Sequence, residues 1–345
     1  MSTPRQAPGD FCWFELATSD QAAAKRFYSA IFGWQAVDSP MAPGEIYTIF
    51  KIDGRDAAAG YTLRPGQRAQ GVPPNWMVYV LVKNVDDSAA RAKRSGGTVL
   101  VDPFDVMDAG RMSVIQDPTG GIFCIWQMLK SGGTGIADVP GTAVWVDIGV
   151  TDQAKGAKFY SDLFGWKMVE GESMKPASPG GYYHIVNARE MIGGIPPAEY
   201  RAPGAPSQWL IYFKVGDCDG TVAKVQSLGG RVVVPTTTME NVRKYAVLAD
   251  PQGAVFAIVE ALAMAKPEAA PKAAAAPRRP PSAPAPATTP ARKAAAPRTT
   301  TAKATRTKTK KQSKKTRKSA SASRTKKGAT RKTRSPQRRA GRRKR

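Results

Sequence analysis

Histidine and cysteine are scarce in this chain of 345 residues, which contains one histidine and three cysteines. Cys12, Cys124 and Cys218 show no Cys-x-x-Cys spacing, and this odd number argues against a disulfide framework and favours a reducing compartment. No apolar run reaches the roughly 18 residues that a membrane-spanning helix needs. The polar segment at residues 1–10 also lacks the pattern of a signal peptide. These absences predict a soluble protein of the cytoplasm.

Charge and large apolar side chains are distributed unevenly along the chain. Residues 266–345 carry 28 Lys and Arg and one acid, a net charge of +27, whereas residues 1–265 carry 24 basic and 26 acidic residues, a net charge of −2. Beyond Lys266 there is no Val, Ile, Leu, Met, Phe, Trp, Tyr or Cys. Such a segment buries nothing to offset the roughly 1–2 kcal/mol per residue that backbone ordering costs. Residues 264–345 are therefore predicted to form a disordered tail, rich in Ala and Pro and then in Lys and Arg.

The rest of the chain is one unit used twice. A first set of motifs returns 132 residues later: Trp13, Glu15, Asp20, Phe27-Tyr28 and Phe32-Gly33-Trp34 become Trp145, Asp147, Asp152, Phe159-Tyr160 and Phe164-Gly165-Trp166. A second set returns after 133 residues: Trp76, Tyr79, Gly96-Gly97 and Asp117-Pro118 become Trp209, Tyr212, Gly229-Gly230 and Asp250-Pro251. The repeat predicts two domains, residues 8–129 and 142–263, joined by a Gly-rich linker at 130–141.

Each half of a domain is predicted to fold as a strand, a helix and three strands. Residues 11–17 alternate as a half-buried strand, whose two faces are Cys12, Phe14 and Leu16, and Trp13, Glu15 and Ala17. Asp20 can cap the following helix and Gly33 can end it. Strands follow at 34–37, 45–52 and 57–63, with a tight hairpin turn at Asp53-Gly54.

The second half of the first domain repeats this order after a Pro- and Gly-rich connector at 64–75. We predict a strand at 76–82, a helix at 86–95 and strands at 98–102, 111–115 and 122–128. The predicted fold class is therefore α+β, with two tandem domains that each contain two βαβββ modules.

The ordered motifs resemble those of the vicinal oxygen chelate superfamily, which includes glyoxalase I, bleomycin-resistance proteins and extradiol dioxygenases. The resemblance rests on Asp…Phe-Tyr…Phe-Gly-Trp early and Asp-Pro-x-Gly late in paired modules, and it covers residues 10–128 and 142–260. It implies that each domain curls into a cup. In enzymes of this family, the cup holds a divalent metal between His, Glu or Gln ligands.

Other residue types occupy the positions that correspond to those ligands. By motif spacing these positions are Trp13, Met77 and Cys124 in the first domain, and Trp145, Leu210 and Ala257 in the second. Hard divalent ions need oxygen or imidazole ligands, which this set does not supply. The single histidine, His184, falls on a middle strand. The sequence therefore predicts the family's cup without a metal and without another cofactor.

Aromatic walls and one acid are predicted in each cup instead. Strand alternation places Glu15 beside Trp13, and Asp147 beside Trp145, on the cup face. The predicted ligand-binding residues are Trp13, Glu15, Met77, Tyr79, Cys124, Trp145, Asp147, Leu210 and Tyr212. Such a pocket suits a small organic ligand, including a cation, through aromatic contact and a charge-assisted hydrogen bond.

Three roles remain open for Glu15 and Asp147. Each acid could bind neighbouring donors as a structural group, contact a ligand, or act as a catalytic general acid or base if the pocket raises its pKa. Arg111 and Lys244 lie on corresponding strands and are candidate counter-ions, although such residues are more often edge or surface charges. His184 is expected to be a structural strand residue.

The composition of the tail resembles that of linker histones and histone-like bacterial proteins. Its cations can release counterions from a phosphate backbone and bind without sequence preference, and it has no aromatic residue on which bases could stack. The predicted nucleic-acid contacts are Lys310, Lys311, Lys314, Lys315, Arg317, Lys318, Arg338, Arg339, Arg342 and Arg343. Another polyanion, an anionic membrane surface, or a purely solubilising role are the alternatives.

The sequence favours a metal-free tandem protein that binds a small molecule and is tethered to DNA or another polyanion by its tail, in the cytoplasm or at the nucleoid. One alternative is a metal-independent lyase, isomerase or hydroxylase-like enzyme with an incidental tail. The other is an architectural nucleoid-associated protein. The internal repeat is compatible with a monomer, and the sequence specifies neither the oligomeric state, nor the ligand, nor any reaction.

Overall fold

The computed structural model of the chain describes residues 4, 6–170, 181–197, 200–201, 204–239 and 243–261. The predicted tail and its ten named nucleic-acid contacts lie outside these residues. The elements of the first domain are β1 (Phe11–Thr18), α1 (Gln21–Phe32), β2 (Gln35–Ala42), β3 (Glu45–Ile52), β4 (Arg55–Thr62), α2 (Pro65–Ala69), β5 (Asn75–Leu81), α3 (Val85–Arg94), β6 (Thr98–Val106), β7 (Gly110–Gln116) and β8 (Ile122–Met128). Those of the second domain are β9 (Ala143–Gly149), α4 (Gln153–Phe164), β10 (Lys167–Glu170), β11 (Tyr183–Asn187), β12 (Glu190–Ile195), β13 (Gln208–Lys214), α5 (Cys218–Ser227), β14 (Arg231–Met239), β15 (Arg243–Ala249) and β16 (Val255–Ala261).

Each domain builds one eight-stranded sheet from its two modules. The strand orders are β2-β3-β4-β1-β5-β8-β7-β6 and β10-β11-β12-β9-β13-β16-β15-β14. The first strands of the two modules pair antiparallel at the centre, β1 with β5 and β9 with β13. Each of these strands is parallel to the last strand of its own module. The predicted α+β fold of two tandem domains is confirmed.

The local signals in the sequence act as predicted at the helix ends and at the first hairpin. The Asp20 carboxylate accepts a hydrogen bond from the Ala23 amide at 2.9 Å, which satisfies a free donor of the first turn of α1. Gly33 ends α1 with a φ of 70°, a left-handed conformation that glycine adopts without strain. Asp53 and Gly54 have φ values of 49° and 73°, as a tight two-residue turn between twisted strands requires.

The connector and the linker are more structured than the sequence indicates. Pro65 fixes the first turn of the short helix α2, which was not predicted. In the linker, the Thr134 amide donates to the Cys12 carbonyl at 2.9 Å and the Gly135 amide to the Asp56 carbonyl at 2.7 Å. Ile136 is buried in the core. The linker therefore packs along the first domain and does not act as a free tether.

Cys12 lies on the opposite face of β1 from the one predicted. Phe11 pairs with Val80 and Trp13 pairs with Tyr79, so the register shifts at Cys12. One extra residue in a strand forms a β-bulge and locally reverses the alternation of its side chains. Cys12 consequently packs in the same cluster as Tyr79 and Trp13 on the cup face.

One apolar core fills the space between the two domains. Helix α1 packs near α5, and α3 packs near α4, so each domain covers the helices of the other. The ring centroids of Phe27 and Phe256 lie 6.3 Å apart across this boundary, and those of Phe123 and Phe159 lie 6.4 Å apart. On the opposite face of the first sheet, Tyr79, Cys124 and Trp126 belong to a separate apolar cluster. We refer to this face, and to its equivalent in the second sheet, as the cups.

Two reciprocal hydrogen-bond chains cross the boundary between the domains. Trp76 Nε1 donates to the Tyr28 hydroxyl, and Tyr28 donates to Asp250 Oδ2, each at 3.0 Å. Trp209 Nε1, Tyr160 and Asp117 form the corresponding chain in the other direction. The Phe-Tyr and Asp-Pro motifs of the repeat therefore meet across the domain boundary, where each tyrosine hydroxyl and its indole partner are buried and hydrogen-bonded. Among the described helices, none combines the length and apolar character that crossing a membrane would require.

Candidate functional site

Glu15 lies in the first cup, held by two tyrosine hydroxyls. Tyr47 on β3 donates to Oε1 at 2.7 Å, and Tyr79 on β5 donates to Oε2 at 2.8 Å. Trp13 Nε1 donates to the Tyr47 hydroxyl at 2.9 Å, which orients the phenol toward the acid. The indole, the two phenols and the carboxylate thus form one connected network on the cup face.

An apolar, sulfur-containing wall surrounds this network in the first cup. Its buried members are Cys12, Tyr79, Leu81, Met112, Cys124 and Trp126, and Met77 and Trp13 pack against them. Burial raises the pKa of the Cys124 thiol well above its usual range, so the group is a neutral thiol at neutral pH and a poor nucleophile or metal ligand.

Asp147 occupies the corresponding place in the second cup. Trp145 Nε1 donates to Oδ1 at 2.9 Å and Tyr212 donates to Oδ2 at 2.8 Å. Tyr182 also donates to Oδ1 and accepts from Trp145 Nε1 at 2.8 Å. The His184 ring lies 5.0 Å from the Tyr182 ring and 6.0 Å from the Trp145 ring. Both cups therefore hold one acid, two tyrosines and one tryptophan in equivalent positions, although Trp145 also donates to its acid directly, whereas Trp13 donates to Tyr47.

Both acids are held in surroundings that disfavour their charged form. Burial raises the pKa of the Glu15 carboxyl, and the hydrogen bonds from Tyr47 and Tyr79 offset only part of this effect. Burial likewise raises the pKa of Asp147 against the hydrogen bonds from its three donors. A carboxyl group with a raised pKa can exchange a proton closer to neutral pH than an exposed one.

The structure gathers the predicted ligand-binding residues of each domain at its cup. Leu210 pairs with Asp147 in the sheet, and Met77 pairs with Glu15, so both accompany the acids on the same face. The suggested counter-ions do not bind the acids. Arg111 instead forms ion pairs with Asp86 on α3 and Asp105 on β6, and Lys244 forms one with Asp219 on α5.

Tyr47 and Tyr182 were missed by sequence reasoning. They occupy equivalent places, yet 135 positions separate them, whereas the flanking motifs repeat after 132 and 133. A longer β10–β11 connection in the second domain shifts the spacing and hides the correspondence. Each tyrosine precedes a turn residue of positive φ, Asp53 or Ala188. Only Asp53, followed by glycine, is recognisable as a turn in the sequence.

A cavity of about 430 Å³ lies at the seam between the domains; Trp145 is among its lining residues, but neither Glu15 nor Asp147 is. Three acids are among its lining residues: Asp10, Asp138 and Glu190. Asp10 accepts hydrogen bonds from Asn187 and from the Ala7 amide, and Asp138 forms an ion pair with Lys214. Asp10 and Asp138 therefore have partners within the fold, and the acid networks, which recur in both domains, are the stronger candidate site.

The donor set of the cups does not fit the divalent metal of the family's enzymes. Among the residues that the structure describes, no three His, Cys, Asp or Glu side chains come together as an ion would require. Each cup network offers one carboxylate whose oxygens already accept hydrogen bonds, and Cys124 is a neutral thiol. The two remaining protein ligands of a typical site would have to come from Trp, Met, Leu or Ala side chains, which do not coordinate hard cations.

Comparison with known proteins agrees with this geometry. A sequence model described as Glyoxalase/Bleomycin resistance protein/Dioxygenase superfamily matches residues 11–125 and 142–258. "Putative glyoxylase CFP32" of Mycobacterium bovis is 37% identical over 251 residues, which cover 72% of this chain and 93% of that protein. "Anthracycline biosynthesis protein DauV" of Streptomyces sp. is 33% identical over 273 residues, which cover 74% of this chain and 94% of that protein. The structure of the 2,3-dioxygenase LapB from Pseudomonas sp. KL28 shares the fold, with a TM-score of 0.54 at 12% identity, covering 76% of this chain and 96% of that one.

Proposed function

The chain belongs to the Glyoxalase/Bleomycin resistance protein/Dioxygenase superfamily, and from this premise we propose that it binds a small organic molecule in its cups and is held on nucleic acid by its basic tail. The proposed binding uses no metal, because the donor sets of both cups lack the ligands for one.

The observation that carries the proposal is the acid network that recurs in both cups. A carboxylate has about four lone-pair sites, and the two phenols that bind Glu15 donate one hydrogen bond to each oxygen. The acid therefore keeps capacity to accept a donor from a ligand. Indole and phenol faces beside a carboxylate also favour a cationic or hydrogen-bond-donating organic molecule. The names of the two relatives, a glyoxylase and an anthracycline biosynthesis protein, support a small organic ligand.

An enzymatic role is the second candidate, and the raised pKa of both acids favours it. A carboxyl group in an apolar pocket can transfer a proton at neutral pH, and the tyrosine hydroxyls would stabilise its anion. In this alternative Glu15 or Asp147 is the general acid or base of a metal-independent lyase, isomerase or hydroxylase-like reaction. Turnover of a bound compound that fails in the Glu15→Gln or Asp147→Asn variant would favour catalysis over simple binding.

The binding proposal is tested by a thermal-shift screen of the full-length chain against a library of small organic compounds. A compound that binds the native state raises its melting temperature by mass action. We expect hits whose shift is lost in Glu15→Gln or in Asp147→Asn, while Glu170→Gln, an exposed acid on β10, keeps it. Hits that survive both cup substitutions, or a library without hits, would contradict the proposal.

The tail proposal rests on charge and requires its own experiment. Residues 266–345 carry a net charge of +27, whereas the remainder carries −2. We therefore expect the tail to make the contacts with duplex DNA. If about 8 phosphates are neutralised, the logarithm of the binding constant should fall with the logarithm of the salt concentration at a slope of about −7. Binding should show little sequence preference. Titrations at several salt concentrations compare the full chain with a truncation that ends at Ala265. Equal affinity of the two forms, or a slope near zero, would contradict a nucleic-acid role, whereas equal or tighter binding to heparin would point to polyanions in general.

A further inference from the structure

The two cups share their acid network but differ in the residues that surround it. Sheet register and the repeat show which positions of the two cups are equivalent. At three of them, the first cup has an apolar residue or glycine and the second cup has a polar residue. These pairs are Ile49 and His184, Gly110 and Arg243, and Met112 and Tyr245. The ring of Trp126 fills the space where a Gly110 side chain would lie. The first cup is thus lined by sulfur and aromatic groups, and the second by ionisable ones.

His184 faces the second cup beside Asp147. It pairs with Gly194, and Gly194 pairs with Asp147, so the two side chains lie on one face of the sheet, two strands apart. Gly194 has no side chain, and the Tyr182 ring occupies the space above it. The imidazole is therefore next to the phenol that donates to the acid.

Arg243 approaches the same cup from the other half of the curled sheet. It begins β15, whereas His184 lies on β11. Arg243 lies on the same face of β15 as Tyr245, whose ring is 6.3 Å from that of Tyr212, the phenol that donates to Asp147. Burial lowers the pKa of His184, and the positive charge of Arg243 lowers it further. A guanidinium presents paired N–H donors that match a carboxylate. In the first cup, the arginine whose charge acts on Glu15 is Arg64, which is already bound to Glu45 at 3.2 Å.

Asp147 provides an acceptor on the opposite side. Its Oδ1 accepts from Trp145 and Tyr182, and its Oδ2 accepts from Tyr212. With about four lone-pair sites on a carboxylate, Oδ2 can accept one further hydrogen bond. The second cup consequently offers a cationic end, an acceptor end, and aromatic side chains between them.

We propose that the second cup binds small organic carboxylates that also carry a hydrogen-bond donor, with Arg243 and His184 holding the carboxylate and Asp147 accepting from the donor. The first cup lacks the cationic end and does not take this class. The inference rests on the proposed small-molecule function and names the ligand class of one of its two sites.

The test uses three matched probes and the full-length chain in isothermal titration calorimetry. The probes are 3-phenyllactate, 3-phenylpropane-1,2-diol, which lacks the carboxylate, and 3-phenylpropionate, which lacks the hydroxyl. We expect 3-phenyllactate to bind at least tenfold more tightly than either analogue. Arg243→Gln and His184→Ile, which installs the residue type of the first cup, should each remove most of that preference. Arg231→Gln, an exposed arginine on β14, should leave it unchanged.

The comparison of probes on the unaltered chain keeps the test independent of how well any variant folds. Equal binding of 3-phenyllactate and the diol, or no binding of 3-phenyllactate, would overturn the assignment. Loss of 3-phenyllactate binding in Glu15→Gln but not in Arg243→Gln would also overturn it, by placing the carboxylate site in the first cup. In each of these cases, other compounds that respond to Glu15→Gln or Asp147→Asn in the thermal-shift screen would leave the general binding function intact.

Discussion

Glu15 makes the stability of the fold depend on pH, because folding changes the proton affinity of its carboxyl group. Burial raises the folded-state pKa above the usual value of a glutamate, which is about 4.3. The folded state therefore binds the proton more tightly than the unfolded state. The resulting stabilisation is complete below the unfolded pKa and is lost as pH rises through the folded pKa.

Glu15→Gln should remove this pH dependence. Below pH 4 the variant should match the parent chain to within about 1 kcal/mol, because a protonated Glu and a Gln make similar hydrogen bonds. As pH rises from about 4 toward neutrality, the variant should gain stability relative to the parent. Urea unfolding at a series of pH values measures the difference. Glu170→Gln on β10 is the matched control, and a difference that stays flat or falls with pH would contradict the expectation.

Residue-level features were predictable from the sequence where strand period and repeat spacing agree. Trp13 and Glu15 were placed on the cup face because a strand alternates its side chains, and Tyr79 because its motif recurs at a constant spacing. Cys12 was misplaced because a β-bulge, which no residue of the stretch announces, reverses the alternation. The partner of Arg111 could not be predicted, because Asp86 lies 25 positions away on a helix and their contact depends on how the helix packs on the sheet.

At the scale of elements, each cup brings its acid within hydrogen-bond distance of a phenol, but the two cups use different pairs of residues to do so. Asp147 is one methylene shorter than Glu15, so its phenol donor must come closer to the strands. Tyr182 does so by lying over Gly194, where an added Cβ would overlap its ring. In the first cup the longer Glu15 pairs with Ala59 at the same register position. The length of the acid and the size of its neighbour therefore change together.

This coupling predicts that Gly194→Ala displaces Tyr182 and destabilises the second cup by about 1–3 kcal/mol, the usual cost of overpacking. Adding Asp147→Glu should restore at least half of the loss, because the pair then matches that of the first cup. Chemical denaturation gives the energies, and a crystal structure of each variant locates the Tyr182 ring. Gly216→Ala, where an added Cβ meets no atom within 4 Å, is the control and should stay within about 0.5 kcal/mol. Additive losses in the double variant would refute the coupling.

The order of the helices and strands could be predicted because each βαβββ module contains its own helix caps, helix-ending glycines and turns. Asp20, Gly33 and Asp53-Gly54 determine local backbone geometry, and such signals require no knowledge of the tertiary fold. The pairing of α1 with α5 was not accessible in the same way. It depends on the apolar faces of two sheets closing on each other, which no local spacing specifies.

At the scale of the whole molecule, the shared core and the reciprocal hydrogen-bond chains make the two domains one folding unit. Tyr28 in the first domain donates to Asp250 in the second and accepts from Trp76, and all three groups are buried. The other oxygen of Asp250 accepts backbone amides of its own turn. Loss of the Tyr28 hydroxyl would therefore deprive both a carboxylate and an indole of a partner on opposite sides of the boundary.

Tyr28→Phe should lower the stability of both domains together by about 2–4 kcal/mol, since two buried polar groups each lose a partner at a cost of about 1–2 kcal/mol, in the lower part of the usual range because Asp250 keeps its backbone donors. For a unit of this size, that corresponds to a fall in melting temperature of about 5–10 °C. Calorimetry of the full chain should show a single transition that moves as a whole, and Tyr160→Phe should act in the same way from the other domain. Tyr200→Phe, a tyrosine that is 62% exposed, should leave the transition in place. A scan that splits into two transitions, one of them at the original temperature, would show that the domains fold independently and that the crossing tyrosines do not couple them.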